Sequence, residues 1–445
     1  MLHKSRFVFL LKNNFLWHSL LGKSVKVSDD LYRQLKENPA IEKTNNPEML
    51  ELIKSHFMTT EAQDNQLLLK TKNEISDDGF NNLFLIMTNR CNLACKYCFY
   101  QNTQHLQHTK MSFDTAQKAL DLFVEKQNKN EQSQDWFSQI TFYGGEPLIN
   151  FDCIQKTTDY IQKLKSENKL SPKTQLVINT NGVLINQAVI NWAKENHVQV
   201  QLSIDGNKNI HDKNRVFATG QGSYAKTIKG LNNLIKNDID VLPLITVTND
   251  NLPQLPKLIS QLCKKYKLKH YGMNLLIDLG KQPISNYPKD AAKQMIECNH
   301  KTSALGASDD AIDALFKTIK NFSIVKQSCG ISRKMTVFPD GKILACQAIS
   351  DCDRAVIGSV STGLSRLNNI RYWKNYSRFN HEKCLKCKYI AFCGAGCVAS
   401  AWFRHQKFET IDLHYCKWLK NIMKKYFNPR NYLEEKSDVN CNRFN

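Results

Sequence analysis

The sequence predicts an α/β fold: a partial (β/α)6, TIM-like barrel with a small α+β module before it and a loop-rich, cysteine-dense domain after it. Three observations carry this expectation. Six short apolar runs alternate with amphipathic segments from Leu83 to Leu276, the pattern of βα units on a parallel sheet. The stretches on either side lack that alternation. Nine of the 15 cysteines lie at or beyond Cys329.

Composition narrows the class. A chain of 445 residues allows about two to four domains. With 42% hydrophobic and 10% aromatic residues it is neither disordered nor collagenous. The apolar run Phe7 to Leu11 is interrupted by Lys12-Asn13-Asn14 before Phe15 resumes, which is too short for a signal-peptide core or a membrane span. A cytosolic protein with no membrane partner is expected, and in that compartment metal or redox chemistry outranks disulfides. The formal charge is +20, and from Arg371 onward there are 15 basic against 6 acidic side chains. Such a surplus favours an anionic partner, nucleic acid or an acidic peptide, and equally describes a lysine-rich solvated surface.

Residues 1–80 read as a hairpin plus helices. Runs Phe7 to Leu11 and Phe15 to Leu21 flank the Lys-Asn-Asn turn, Ser28 or Asp29 caps a helix carrying Leu31, Tyr32 and Leu35, and a second helix spans Met49 to Phe57. Residues 81–276 form the barrel, with strands at Leu83 to Met87, Gln139 to Tyr143, Gln175 to Asn179, Val198 to Ile204, Val241 to Val247 and His270 to Leu276. Intervening helices carry Ala116, Ala119, Leu120 and Phe123, and Leu255, Leu258, Ile259 and Leu262. Pro243 speaks against the fifth strand unless it sits at an edge or bulge. Beyond residue 277 the alternation stops. A connector, 277–328, contains a helix at Ser308 to Phe322, and domain 329–420 is expected to gain its order from metal rather than apolar burial. Residues 421–445, with Asn428-Pro-Arg430, end as a frayed tail.

The chemistry begins with Cys91-Asn-Leu-Ala-Cys95-Lys-Tyr-Cys98 directly after the first strand. Chance would produce this triple roughly 0.02 times in such a chain. Three thiolates in one loop suit three corners of an iron-sulfur cube and leave the fourth iron open, whereas a zinc site needs one more ligand and no His lies in the loop. The second strand ends in Gly144-Gly145-Glu146-Pro147, the third in Asn179-Thr-Asn-Gly and the fourth in Ser203-Ile-Asp205-Gly, so polar groups gather where the loops of parallel strands converge. Each of these taken alone is also an ordinary turn or cap.

The tail carries Cys329, then Gly341 and Cys346, then Cys384-x2-Cys387-x5-Cys393-x3-Cys397, and finally Cys416. CxxC with further cysteines is also zinc-ribbon spacing. Asp340-Gly341 reads as a hairpin turn that brings Cys329 and Cys346 toward one end. Cys153, Cys263 and Cys441 read as ordinary thiols.

Taken together, the Cx3Cx2C loop with Tyr97 before its last cysteine and the following Gly-Gly-Glu-Pro resemble the radical S-adenosylmethionine (SAM) enzymes. The tail resembles the SPASM domain, the auxiliary-cluster extension of members that modify peptides. The resemblance implies three [4Fe-4S] clusters and SAM as cofactors. Cys91, Cys95 and Cys98 would hold the SAM-binding cluster; Cys329, Cys346 and Cys397 one auxiliary cluster; and Cys384, Cys387, Cys393 and Cys416 the other. One open and two closed clusters need eleven thiolates and the motifs supply ten, so the eleventh is Cys298 or Cys352, or that site is open. Tyr97, Gly144, Gly145, Glu146, Asn179, Ser203, Asp205 and Arg215 would lie around SAM, the glycines admitting its methionine moiety where a Cβ would block it and the Glu146 carboxylate meeting its amino group.

Two activities compete within that family: oxidative maturation of a ribosomal precursor peptide, by a thioether, C–C or C–O cross-link, and conversion of a sulfatase Cys or Ser to formylglycine. Sulfatase-maturing members place an Asp acting as base after the Gly-x4-Cys cysteine, and here Gln347 follows Cys346. Residues 1–80 resemble a degenerate leader-peptide-binding module that takes its ligand as an added strand. A peptide maturase served by a low-potential donor such as flavodoxin or ferredoxin is the expectation, with no proton-accepting residue identified. The reading from a different class is an iron-sulfur or zinc protein binding nucleic acid through Arg371 to Arg378, RYWKNYSR, although Trp373 and Tyr376 equally suit packing between cluster loops.

Overall fold

The computed structural model describes residues 2–37, 40–41, 44–74, 79–100, 109–127, 138–280, 286–321 and 323–425. Its centre is six parallel strands, β1 (Asn82–Thr88), β2 (Gln139–Gly144), β3 (Gln175–Thr180), β4 (Gln199–Ser203), β5 (Val241–Val247) and β6 (His270–Leu275), side by side in chain order. Helices α1 (Phe113–Lys126), α2 (Phe151–Ser166), α3 (Gln187–Glu195), α4 (Lys208–Asn214), α5 (Tyr224–Lys236) and α6 (Leu255–Tyr266) fill the crossovers. Every expected strand is present within two residues. Pro243 is paired with Leu202 of β4, and the ladder from β5 to β6 begins one residue later at Leu244–Gly272, so the missing amide falls where that ladder starts.

The strands' period of two sorts their side chains. Leu83, Leu85 and Met87 of β1, Ile140 and Phe142 of β2 and Leu176 and Ile178 of β3 are buried in one apolar core with the helices, Phe142 meeting Trp192 of α3 edge-on at 5.9 Å. By register the opposite face carries Asn82, Phe84 and Ile86, Gln139, Thr141 and Tyr143, Gln175, Val177 and Asn179, and Gln201 and Ser203, mostly polar. A parallel sheet is normally apolar on both faces. One polar face marks a surface that meets polar groups.

The alternation does not stop at residue 277 as expected. Helix α7 (Tyr287–Ser303) and the short strand β7 (Ser308–Asp309) add one further parallel unit beside β6, followed by α8 (Asp310–Lys320). The helix expected from Ser308 thus starts two residues later, and Phe322 lies outside the described residues. Two polar residues give no strand periodicity. What makes them a strand is the Asp309 carboxylate, which accepts the Met273 amide of β6 at 2.7 Å and the Ile312 amide of α8 at 2.8 Å.

On the other edge, β8 (Lys334–Val337) pairs parallel with β1, and β9 (Lys342–Leu344) and β10 (Val356–Ser359) continue the sheet antiparallel. The β8–β9 hairpin turns at Asp340-Gly341 as expected, Gly341 having φ +81°. Met335, Val337, Ile343, Leu344 and Ile357 are fully buried. The start of the cysteine-rich region is therefore ordered by apolar burial on the barrel, which corrects the expectation that metal alone orders it.

The N-terminal residues form two small sheets: Leu2–Lys4 between Ala40–Ile41 and Met58–Thr59, and a meander Val8–Leu10, Phe15–His18, Lys23–Lys26. Ser28 caps the helix Asp29–Glu37 through the Leu31 amide. The second helix spans Pro47–Lys54, capped by Asn46, and ends before Phe57. A third, Glu61–Glu74, lacks an apolar stripe in sequence and was not expected. Trp17 stacks on Phe392 at 5.9 Å and Phe9 meets Tyr389 at 5.5 Å, so the meander sits on the tail. The expected end of the tail, including Asn428-Pro-Arg430 and Cys441, lies outside the described residues.

Burial raises the Asp309 carboxyl to about 7. Its folded form holds the proton more tightly than the unfolded chain, so this contribution is complete below the ordinary carboxylate range and is lost as pH rises toward 7. The stability advantage of the wild type over Asp309→Asn is expected to shrink between pH 4 and 7, by on the order of 1 to 4 kcal/mol, and to stay level above that. Anaerobic thermal unfolding of both proteins across this range reads it.

Candidate active site

The Cys91–Cys98 loop leaves the carboxyl end of β1 and is pinned from two sides. The Ala94 and Lys96 amides donate to the carbonyls of Val216 and Asn214 at 2.7 and 2.9 Å. On the other side the Gly145 amide donates to Thr88 and the Glu146 amide to Arg90, each at 2.9 Å. This explains the glycine pair: a Cβ at Gly144 would stand 2.4 Å from the Thr88 oxygen and one at Gly145 would stand 2.3 Å from that of Arg90. Close approach to the chain's own backbone demands glycine here.

Glu146 is 1% exposed and points inward. One carboxylate oxygen accepts the Thr180 hydroxyl at 2.7 Å and the Leu148 amide at 3.2 Å, and the other accepts the Asn181 amide at 2.9 Å. Burial raises it to about 7, against the pull of those donors. Asn181 was not singled out in the sequence. It donates to Asn92 Oδ1 at 2.7 Å and lies 3.8 Å from Cys91 Sγ, tying the third strand's end to the loop.

Asp205 and Arg215 form a buried two-point ion pair, with Arg215 Nε and Nη2 at 3.0 and 3.2 Å from the two carboxylate oxygens. The Thr246 amide adds a third donor at 3.1 Å and the Tyr97 hydroxyl a fourth. The guanidinium lies 5.4 Å from the centre of the Tyr97 ring and also meets Cys95. All acceptor positions of Asp205 are thus engaged within the chain. The pair braces the cysteine loop against β4 and β5. Asn179 donates to Gln201 at 3.2 Å, and it and Ser203 are half-buried on the polar face.

Burial of its thiol raises Cys91 to about 12, although the residue is the most exposed of the three, and Glu146 and the neighbouring thiols add to the rise. Burial raises Cys95 to about 11, against Arg215. Beyond Cys98 stand Tyr100 and Tyr143, with ring centres 6.5 Å apart. Each lies in the field of both Cys98 and Cys346.

The tail thiols form two neighbourhoods. Cys397, raised by burial to about 12, lies beside Asp412, Cys329 and Cys346. Cys384 neighbours Cys387 and Cys416, and Cys393, raised by burial to about 12, neighbours Cys416 and Cys384. Tyr376 and Tyr415 border both neighbourhoods. Among the described residues no three His, Cys, Asp or Glu side chains close on one ion-sized point. Cys298 is fully buried in α7 beside Asp309 and Cys263, in the same apolar cluster as Phe392 and Trp418 of the tail. Cys352 packs against the same core as Cys329, Cys346 and Cys397. Cys153 is buried in α2 and Cys263 in α6, as expected of ordinary thiols. In the RYWKNYSR segment Trp373 and Tyr376 are 2% and 6% exposed, which places these rings in the packing between cysteine loops.

Removing the cation of a buried pair strands the other charge, which costs about 3–5 kcal/mol. Arg215→Met is expected to lose about that much stability, and the double variant Arg215→Met/Asp205→Leu to lose less than the single. Thermal unfolding of the set checks the order.

The family model of the radical SAM superfamily matches residues 85–262. A Methanocaldococcus jannaschii protein, MJ0907, is 34% identical over 211 residues, covering 47% of this chain and 68% of its own. A cysteine-type anaerobic sulfatase-maturating enzyme of Clostridium novyi is 27% identical over 365 residues, 78% of this chain and 95% of its own. Among solved structures, native anSMEcpe with bound AdoMet superposes with a TM-score of 0.65 at 19% identity, over 80% of this chain and 100% of its own. Streptococcus suis SuiB bound to the precursor peptide SuiA does so with a TM-score of 0.56 at 16% identity, over 94% of this chain and 100% of its own. In the described residues no helix is long and apolar enough to cross a membrane. The cysteine loop at the end of β1, the glycine pair locked against it and the matched span together make this chain a member of the radical SAM superfamily.

Proposed function

We propose that this radical SAM enzyme is a peptide maturase that removes hydrogen from a ribosomal precursor peptide and installs an oxidative side-chain cross-link. The observation behind the reading is that Tyr100 and Tyr143, with ring centres 6.5 Å apart, each lie in the field of both Cys98 and Cys346. Cross-linking and formylglycine formation are both net oxidations that must lead an electron away from the substrate, which a second cluster suits; Gln347 in place of an acid is what favours the cross-link.

The residues fit the implied groups. Cys91, Cys95 and Cys98 lie in one loop that supplies three thiols and no fourth, the donor set for a cluster with one open iron. Cys384, Cys387, Cys393 and Cys416 supply a closed set, and Cys329, Cys346 and Cys397 supply three donors of another. When bound, the open cluster and SAM supply a 5′-deoxyadenosyl radical that takes hydrogen from an unactivated carbon. The protein positions the reactants and excludes water. Asn179 and Ser203 on the polar face, with the Gly144–Glu146 turn, are assigned to SAM. Tyr97, Asp205 and Arg215 hold the loop that presents it.

The N-terminal meander has an edge at Lys23–Lys26, where an extended leader adds as a strand. SuiB, which shares the fold, is seen with a precursor peptide. An external low-potential donor such as flavodoxin or ferredoxin supplies electrons. The second reading is sulfatase maturation, favoured by a sulfatase-maturating relative aligned over 78% of the chain. Against it stands Gln347 in place of an acid, its amide oxygen accepting from Lys334 at 3.3 Å.

Anaerobic reconstitution tests the proposal. The wild type is expected to hold about eleven to twelve irons and to form 5′-deoxyadenosine with dithionite, and the Cys91/Cys95/Cys98→Ala variant to lose about four irons and all product. With a precursor peptide, mass spectrometry is expected to show loss of two hydrogens per cross-link. Conversion of a sulfatase cysteine peptide to the aldehyde, with the precursor untouched, would establish the second reading instead.

A further inference from the structure

Two buried cations beside the tail thiols have no carboxylate. Arg378 is fully buried. Its guanidinium donates to the carbonyls of Ile390 and Ala391, the latter at 3.1 Å, while Nη1 is enclosed without a partner. Cys393 and Cys384 are its electrostatic neighbours. Lys334, 9% exposed on β8, has Nζ 3.3 Å from the Gln347 amide oxygen and 4.6 Å from the centre of the Phe84 ring. The thiol in its field is Cys346. Among the described residues no Asp or Glu lies within ion-pair distance of either cation.

A buried charge without a counter-ion costs several kcal/mol, and neutral amide or carbonyl oxygens do not repay that. An iron-sulfur cube with four thiolates is an anion whose charge grows by one on reduction. A fixed cation next to it is satisfied by its presence and favours its reduced form, one of the protein's levers on potential. Arg378 sits at one thiol neighbourhood and Lys334 at the other, so the two charges act separately.

We propose that Arg378 and Lys334 are internal counter-charges, Arg378 for the group held by Cys384, Cys387, Cys393 and Cys416 and Lys334 for the group held by Cys329, Cys346 and Cys397, each raising the reduction potential of its own group. The inference rests on the reading of the tail as two cluster sites. They are positioning residues for electron flow and touch no substrate.

The test is an anaerobic redox titration of the reconstituted holoenzyme followed by electron paramagnetic resonance. Cys346→Ala and Cys393→Ala first identify which signal belongs to which site; if neither changes the spectrum or the iron content, the cluster reading itself fails. Lys334→Met is expected to move the midpoint of the Cys346-dependent signal to more negative potential and leave the other in place, with Lys334→Arg staying near wild type. Arg378→Gln is expected to do the same to the Cys393-dependent signal, or to lose its irons where Arg378→Lys retains them. An unmoved midpoint in Lys334→Met at full iron content overturns the assignment for Lys334, above all if the KM for peptide rises instead, since the charge then serves a substrate carboxylate. Loss of iron in both Arg378 variants overturns the assignment for Arg378, because the fork rather than the charge is then what matters.

Discussion

The Arg215 guanidinium lies inside the protein with Asp205 as its counter-ion, and the position of the cysteine loop hangs on that pair. Both groups are out of water, so their attraction is little screened, and neither is left with an unmet charge. Tyr97 comes from the loop, Asp205 from the end of β4, Arg215 from the end of α4 and Thr246 from β5. One ion pair therefore fixes four chain segments at the carboxyl ends of the strands. The loop's other flank is held by backbone bonds through the glycine turn after β2 and by the Asn181 side chain on Asn92. A loop gripped in this way keeps its three thiols in place.

The barrel was legible because its strands and helices differ in period, and every expected strand is present. Strand β7 was not legible, since Ser308 and Asp309 have no apolar signal and become a strand only through the amides that Asp309 accepts. Gly144 and Gly145 have a further reason that the sequence did not show: a Cβ there would strike the backbone of Thr88 and Arg90. Asn181 was passed over although it sits in the same Asn-Thr-Asn-Gly segment as Asn179. A side chain that ties two loops has no signature until the fold brings the loops together.

The tail is held in two ways. Its first hairpin is a strand pair on the barrel sheet with a buried apolar interior, and needs no ligand to be placed. Its second half, from Cys384 to Cys416, packs instead against the N-terminal meander through Trp17, Phe9, Tyr389 and Phe392, with Ser19 donating to the Lys388 carbonyl at 3.1 Å. These contacts join the two ends of the sequence, and no local pattern announces them. They also put the leader-binding candidate against the loop that carries Cys387 and Cys393.

The pairing of β8 with β1 has a consequence for synthesis. β1 carries the cysteine loop, yet one of its two neighbours is made from residues 334–337, which leave the ribosome only after the whole barrel has emerged. Until then β1 presents an open hydrogen-bonding edge beside an apolar core, the kind of edge that recruits other chains. Long-range parallel pairing of this sort closes slowly. A chain truncated before residue 334 would keep that edge open and is expected to aggregate rather than persist as a smaller enzyme.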